Sequence, residues 1–126
     1  AVVGEYAYIQ TGLLSIVNIG RGSDFTVAAR HGSPGYSALV EQNGLLFAGR
    51  VREGLEILDL TDPEAPERLG QYLDGGYYAR LDVMGDVAYL GDMRDGIEVL
   101  DVSDPTSPHL LARLPGTASP DPETAA

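Results

Sequence analysis

Cysteine and lysine are both absent from this chain of 126 residues, and histidine occurs only twice. Without cysteine there is no disulfide, no thiolate metal site and no cysteine nucleophile. Without lysine, eight arginines stand against 19 acidic residues, for a formal net charge of −11. That balance speaks against nucleic acid, whose phosphates are gripped mainly by clustered Lys and Arg. It speaks equally against an anionic membrane surface. Solubility and mutual repulsion are its simplest consequence, and collection of cations or a basic partner is the sharper one. No apolar run approaches the roughly 20 residues of a membrane helix, so no membrane insertion is expected. Ala1-Val2-Val3-Gly4 has neither the basic start nor the apolar stretch of a secretory signal. The missing initial Met fits a processed or excised segment.

What is present is a repeat. Hydrophobic residues make up 44% of the chain, enough for a real core. The stretch from Phe47 to Pro63 returns, with like residues in order, from Tyr89 to Pro105. The offset of 42 extends to Pro66 and Pro108, and upstream to Tyr36 and Tyr78 and to Leu39 and Leu81. A degraded third copy opens the chain. Gly4–Ile9 matches Gly85–Leu90, and Leu14–Ile19 matches Leu55–Leu60, with two residues missing between the pieces. Its Ala29-Arg30 pair echoes Ala112-Arg113. A fixed period in this range marks stacked units that cannot bury their apolar faces alone.

Each unit reads as short strands rich in Val, Ile, Leu and Tyr, parted by Gly, Asp and Pro clusters, with no sustained helical period. In the best copy the strands fall at about Arg80–Val83, Val87–Gly91, Ile97–Val102 and Leu110–Leu114. Ile97–Val102 is apolar on both sides, which suits a sheet sandwiched between other sheets. Four strands per unit with stacked neighbours make a propeller blade. The expected fold is all-β: three tandem four-stranded antiparallel blades over about 1–35, 36–77 and 78–117, with residues 118–126 as a disordered tail or linker.

The Gly-x-x-Ala-Tyr of Gly85–Tyr89, followed by Asp-Gly-Ile-x-Val-Leu-Asp-Val-Ser-Asp-Pro-x-x-Pro up to Pro108, resembles the LVIVD repeat. The resemblance recurs at Phe47–Pro66 and weakly at Gly4–Ile19. It implies a bacterial or archaeal surface or secreted β-propeller: extracellular, on the cell surface or periplasmic. It supplies no reaction and no catalytic residues. The first copy departs from it, with Asn18 in place of the aspartate and no prolines after it. Three blades do not close a ring of the usual four to eight. The expected partners are therefore other blades, from a second copy of the chain or from the rest of a longer protein, besides an unidentified protein or small-molecule ligand.

Candidate site residues follow from the blade plan. The second-to-third connection and the crossing into the next blade emerge on one face of the disc. That face gathers Arg50, Arg52, Asp92, Arg94 and Asp95 with His31, Tyr36, Tyr77 and Tyr78. Tyr and Arg together are common anchors of binding surfaces; the alternative is that the tyrosines plug the channel or pack between blades. Asn18, Asp59 and Asp101 end the third strands, where a short acceptor bonds turn N–H groups, and Asp62 and Asp104 before proline are turn formers. Asp92 and Asp95 sit three apart in a glycine-flanked loop, but further oxygen ligands of a calcium loop are lacking and the counterpart loop carries Arg50. No metal and no cofactor are expected. His31 and His109 form no ligand spacing. The leading expectation is a non-catalytic binding or assembly module. The rivals are an enzyme, a hydrolase or lyase using His31 with an Asp at the channel mouth, for which no spacing supports a catalytic set, and a structural segment of a larger multi-chain assembly.

Overall fold

The computed structural model of the chain describes residues 1–20, 25–32, 35–73, 78–92 and 96–115. The described residues form twelve strands and no helix, in three four-stranded antiparallel sheets whose strands follow chain order. Blade 1 contains β1 (Val2–Val3), β2 (Tyr6–Thr11), β3 (Leu13–Asn18) and β4 (Thr26–His31). Blade 2 contains β5 (Tyr36–Gln42), β6 (Leu45–Arg50), β7 (Gly54–Asp59) and β8 (Glu67–Leu73). Blade 3 contains β9 (Tyr78–Met84), β10 (Val87–Asp92), β11 (Gly96–Asp101) and β12 (His109–Leu114). The chain is thus an all-β run of tandem propeller blades.

Local chemistry sets the register within each blade. Asn43 and Gly44 both take left-handed backbone, φ 54° and 78°, the geometry of a tight two-residue hairpin turn. They place Gln42 opposite Leu45. The residue after the third strand then bonds back to that first turn in every blade: Ile19 N to Glu5 O at 2.8 Å, Leu60 N to Gly44 O at 3.0 Å, and Val102 N to Asp86 O at 2.8 Å. All three blades also shift register at the same place between third and fourth strands, after Ile16, Ile57 and Val99. A bulge there increases local twist and re-aims the outer strand.

The core lies between the sheets. Leu46, Ala48 and Leu58 pack toward blade 1 against Tyr8, Leu14 and Ile16. Phe47, Leu55 and Ile57, from the same two strands of blade 2, pack toward blade 3 against Ala88, Leu90 and Leu100. Burial on both faces explains strands that are apolar on both sides. Each fully covered Leu, Ile or Phe contributes about 1.5–3 kcal/mol relative to exposure.

The proline-bearing connection between third and fourth strands clasps the preceding blade. Tyr8 donates its hydroxyl to Pro63 O at 2.8 Å, and Tyr6 donates to Glu64 Oε2 at 2.7 Å. Burial pushes the Tyr8 phenol up to about 12, so it stays a donor. At the next junction Gly70 lies so close to Pro105 that a Cβ would be built into the Pro105 carbonyl oxygen.

Within these connections the aspartates bond forward along the chain. Asp59 Oδ1 accepts from Thr61 N and Oγ1 at 2.8 and 2.6 Å, and Asp101 Oδ1 from Ser103 N and Oγ at the same distances. Asp104 Oδ1 accepts from Thr106 N and Oγ1, Asp62 Oδ1 from Glu64 N, and Asn18 Oδ1 from Gly20 N. The hydroxyl and then the N–H hold the carboxyls of Asp59, Asp101 and Asp104 below their ordinary value. A carboxyl depressed in the folded state stabilises the fold above its unfolded pKa, and the contribution is lost as pH falls through the folded one. Replacing Asp59, Asp101 and Asp104 by Asn, the residue at position 18, is therefore expected to flatten the fall in stability from about pH 5 downward. Urea unfolding followed across that range checks it; an unchanged slope rejects it.

Candidate functional site

Three loops meet where blade 1 passes into blade 2. Gly35, in the crossing from β4 to β5, donates its N–H to Gly12 O at 3.1 Å, in the β2–β3 turn. Val51 N, just after β6, donates to Gly35 O at 2.8 Å. This stitch holds the crossing between the second-to-third turns of both blades. It fixes the ends of β5 and β6, where Tyr36 pairs with Arg50 across the sheet.

A polar network grows from that pair. Tyr36 donates its hydroxyl to Glu56 Oε1 at 2.5 Å, from β5 to β7. The Arg50 guanidinium lies over the Tyr36 ring, 4.9 Å from its centroid, a cation–π geometry. Arg50 Nη1 is 2.6 Å from Glu53 Oε2 and 3.9 Å from Glu56 Oε2. Arg68 Nη1, on β8, is 3.8 Å from Glu56 Oε2 and donates to Gln71 Oε1 at 3.0 Å. Glu56 is only 5% exposed, and a carboxylate so buried must be compensated. Burial, then the bond to Glu56 and its charge, raises the pKa of Tyr36, which keeps the phenol protonated and donating. Gly32 completes the fit, because a Cβ there would run into the Tyr36 hydroxyl and ring.

Over the network opens a pocket of about 340 Å³, lined by His31 and Gly32 from blade 1 and by Arg50, Glu56 and Arg68 from blade 2. Arg50 is nearly covered there, while half of the Arg68 side chain is exposed. The same strand positions are polar in the other blades, with different chemistry, and all but Thr11 of blade 1 are buried. Blade 3 has Asp92 and Glu98, the latter 3.2 Å from Arg113 Nε. Blade 1 has Ser15, whose Oγ is 2.7 Å from Thr11 Oγ1.

Of the residues the sequence singles out, His31, Tyr36 and Arg50 come together in this site. Arg52 is exposed at the β6–β7 turn with left-handed backbone, φ 66°. Tyr78 and Asp92 are buried at the other junction. Tyr36 and Tyr78 both pack between blades, Tyr78 with its backbone carbonyl accepting from Ser37 Oγ at 2.6 Å. Tyr77, Arg94 and Asp95 lie outside the described residues, as does the 118–126 segment. Glu56, Arg68 and Gln71 are not singled out by the sequence pattern. The usable signal was a glutamate recurring at 56 and 98 inside an otherwise apolar strand.

Stacked four-stranded blades with a buried polar row at each junction define a β-propeller repeat protein. The family model of the LVIVD repeat matches residues 75–114, a span that takes in the third blade. Among solved structures the chain is similar to the computationally designed protein Ika8, with a TM-score of 0.71 and 14% identity. The match covers 94% of this chain and 36% of that one. The chain thus spans about a third of that structure's length, and the likeness concerns the fold. No curated protein matches the sequence.

Proposed function

We propose that the chain is a non-catalytic β-propeller module of the cell exterior that binds a small polar ligand at the junction of blades 1 and 2. The carrying observation is the pocket in which Arg68 and His31 stand around the buried carboxylate of Glu56. Concave sites with a few convergent polar groups are where ligands bind. Arg68 and His31 offer donors, and Glu56 Oε2 is an acceptor. The 3.8 and 3.9 Å spacings from Arg68 and Arg50 to that oxygen are ones a hydroxyl bridges, donating to the carboxylate and accepting from a guanidinium. The same network argues against acid–base work. Glu56 Oε1 is committed to Tyr36, whose phenol is held protonated, and Oε2 faces two guanidinium groups. The LVIVD repeat supports the exterior placement.

Saturation-transfer NMR of the full chain with a panel of saccharides, polyols and hydroxy acids tests the reading. At least one hydroxylated probe is expected to bind, and Arg68→Ala or His31→Ala should weaken it about tenfold, the equivalent of one charge-assisted hydrogen bond. Melting temperature should stay unchanged in His31→Ala and fall only slightly in Arg68→Ala, which removes a half-exposed partner of Glu56. Binding that persists in both, or no binding across the panel, rejects the pocket.

A further inference from the structure

On its two middle strands, one face of blade 3 repeats a face that is buried elsewhere in the molecule, while on β9 of that face Arg80 and Asp82 stand where β5 has Ala38 and Val40. Tyr89, Ile97 and Val99 stand where Phe47, Leu55 and Ile57 stand in blade 2. Blade 3 covers the blade 2 set, leaving Phe47 and Leu55 each 1% exposed, whereas Tyr89 and Ile97 are 43% and 42% exposed. Leu114, the cross-strand partner of Ile97, and Met84 extend the exposed set. Exposed apolar side chains grouped on one sheet face, here with Arg80 and Asp82 beside them, mark an interaction site.

The chemistry of its occupant is visible one junction earlier. Blade 3 covers blade 2 with Ala88 and Leu90 on its second strand, and with Leu100 and Val102 on and after its third. Blade 1 carries nearly the same series at the same positions: Ala7, Ile9, Val17 and Ile19. In β2 and β3 these alternate with Tyr8, Leu14 and Ile16, which face blade 2, so the series faces away from it. Ile9 is 45% exposed. Along their second and third strands the two end faces therefore complement each other as the internal faces do.

We propose that the exposed face of blade 3 receives blade 1 of a second copy of this chain, head to tail. Two such contacts, related by a two-fold axis, close a ring of six blades, within the usual range of about four to eight, as a closed isologous dimer. The new junction differs from the internal one in a defined way. Between blades 2 and 3, Gln42 and Gly85 exchange two hydrogen bonds, at 2.8 and 3.0 Å. Met84 holds the Gln42 position, and Gly4, φ 58° against 60° for Gly85, holds the glycine position. Apolar contact thus replaces a polar clasp. Blade 1 also lacks the prolines that clasp the preceding blade elsewhere. The junction is weaker than the internal ones, and the complex dissociates on dilution.

Sedimentation equilibrium of the full chain decides it. At roughly 100 µM, where a complex of micromolar Kd is populated, the mass is expected to be twice the 13.3 kDa of one chain, falling toward one chain on dilution. Ile97→Arg and Ile9→Arg each change an exposed residue at opposite ends, and each should give a monomer at the same concentration with an unchanged circular dichroism spectrum. A wild-type chain that stays monomeric overturns the proposal and assigns the face to a different blade. A dimer that survives Ile9→Arg overturns it too, because blade 3 is then packing on blade 3.

Discussion

Gly54→Ala is expected to cost about 4 kcal/mol of stability, a mutational effect at the severe end of the usual range. Gly54 opens β7 with φ 148°, a left-handed conformation that side-chain-bearing residues rarely adopt. Space is the larger problem. A Cβ at this position would be built into the Tyr72 carbonyl oxygen, with the Tyr72 carbonyl carbon and Leu73 Cα close behind. These atoms are backbone of β8, which pairs with Gly54 through Leu73, so no rotamer change relieves the collision. Relief requires separating β7 from β8 two residues before Glu56, at the end of the ladder away from Arg68. Domains of this size have about 5–15 kcal/mol in total, and the melting temperature should fall by roughly 10–20 °C. Gly44→Ala separates the two causes: Gly44 also has positive φ, 78°, but open space around its Cβ position. It should lose only about 1 kcal/mol. Denaturant titration of the three proteins checks the ordering, and equal losses would mean that conformation, not collision, sets the cost.

That glycine shows how far the sequence reaches. Gly54 and Gly96 mark the starts of β7 and β11, so the repeat alone places them at strand boundaries. The strands and blades are legible for the same reason: each unit is written nearly twice over, and Gly, Asp and Pro punctuate it. Asp59 and Asp101 bond partners two residues away, so both ends of each interaction are adjacent in the chain. The site is different. Tyr36, Glu56 and Arg68 come from β5, β7 and β8, and what brings them together is strand pairing plus the bulge after Ile57, which carries no composition signature. Strands apolar on both sides also hide a buried glutamate, since Glu56 and Glu98 look like the wet face of an ordinary strand. The proline-bearing connections are readable as turns, but their grip on the neighbouring blade through Tyr8 and Pro63 is a tertiary fact.

Removing Glu56 tests whether the buried network is a matter of one side chain or of its pairings. Glu56→Leu should cost about 3 kcal/mol, because it leaves the Tyr36 hydroxyl without its acceptor at a site only 5% exposed, the penalty of a stranded buried polar group. Arg50 suffers less, since its 2.6 Å contact with Glu53 survives. Tyr36→Phe alone should cost about 1–3 kcal/mol, because a buried carboxylate then loses its donor. Replacing both ends removes the need for either, and a buried polar pair exchanged for apolar residues of like volume is often neutral. Tyr36→Phe with Glu56→Leu is therefore expected to recover most of the loss, a coupling of about 2 kcal/mol in a double-mutant cycle. Additive losses would show that the two side chains act separately and that packing around Leu58 and Leu60 carries the junction. Recovery in stability should come without recovery of ligand binding, because the double variant has no acceptor left beneath Arg68 and His31. A network that is dispensable for folding yet needed for binding is the signature of a site, and stability and binding measured on the same four proteins separate the two roles.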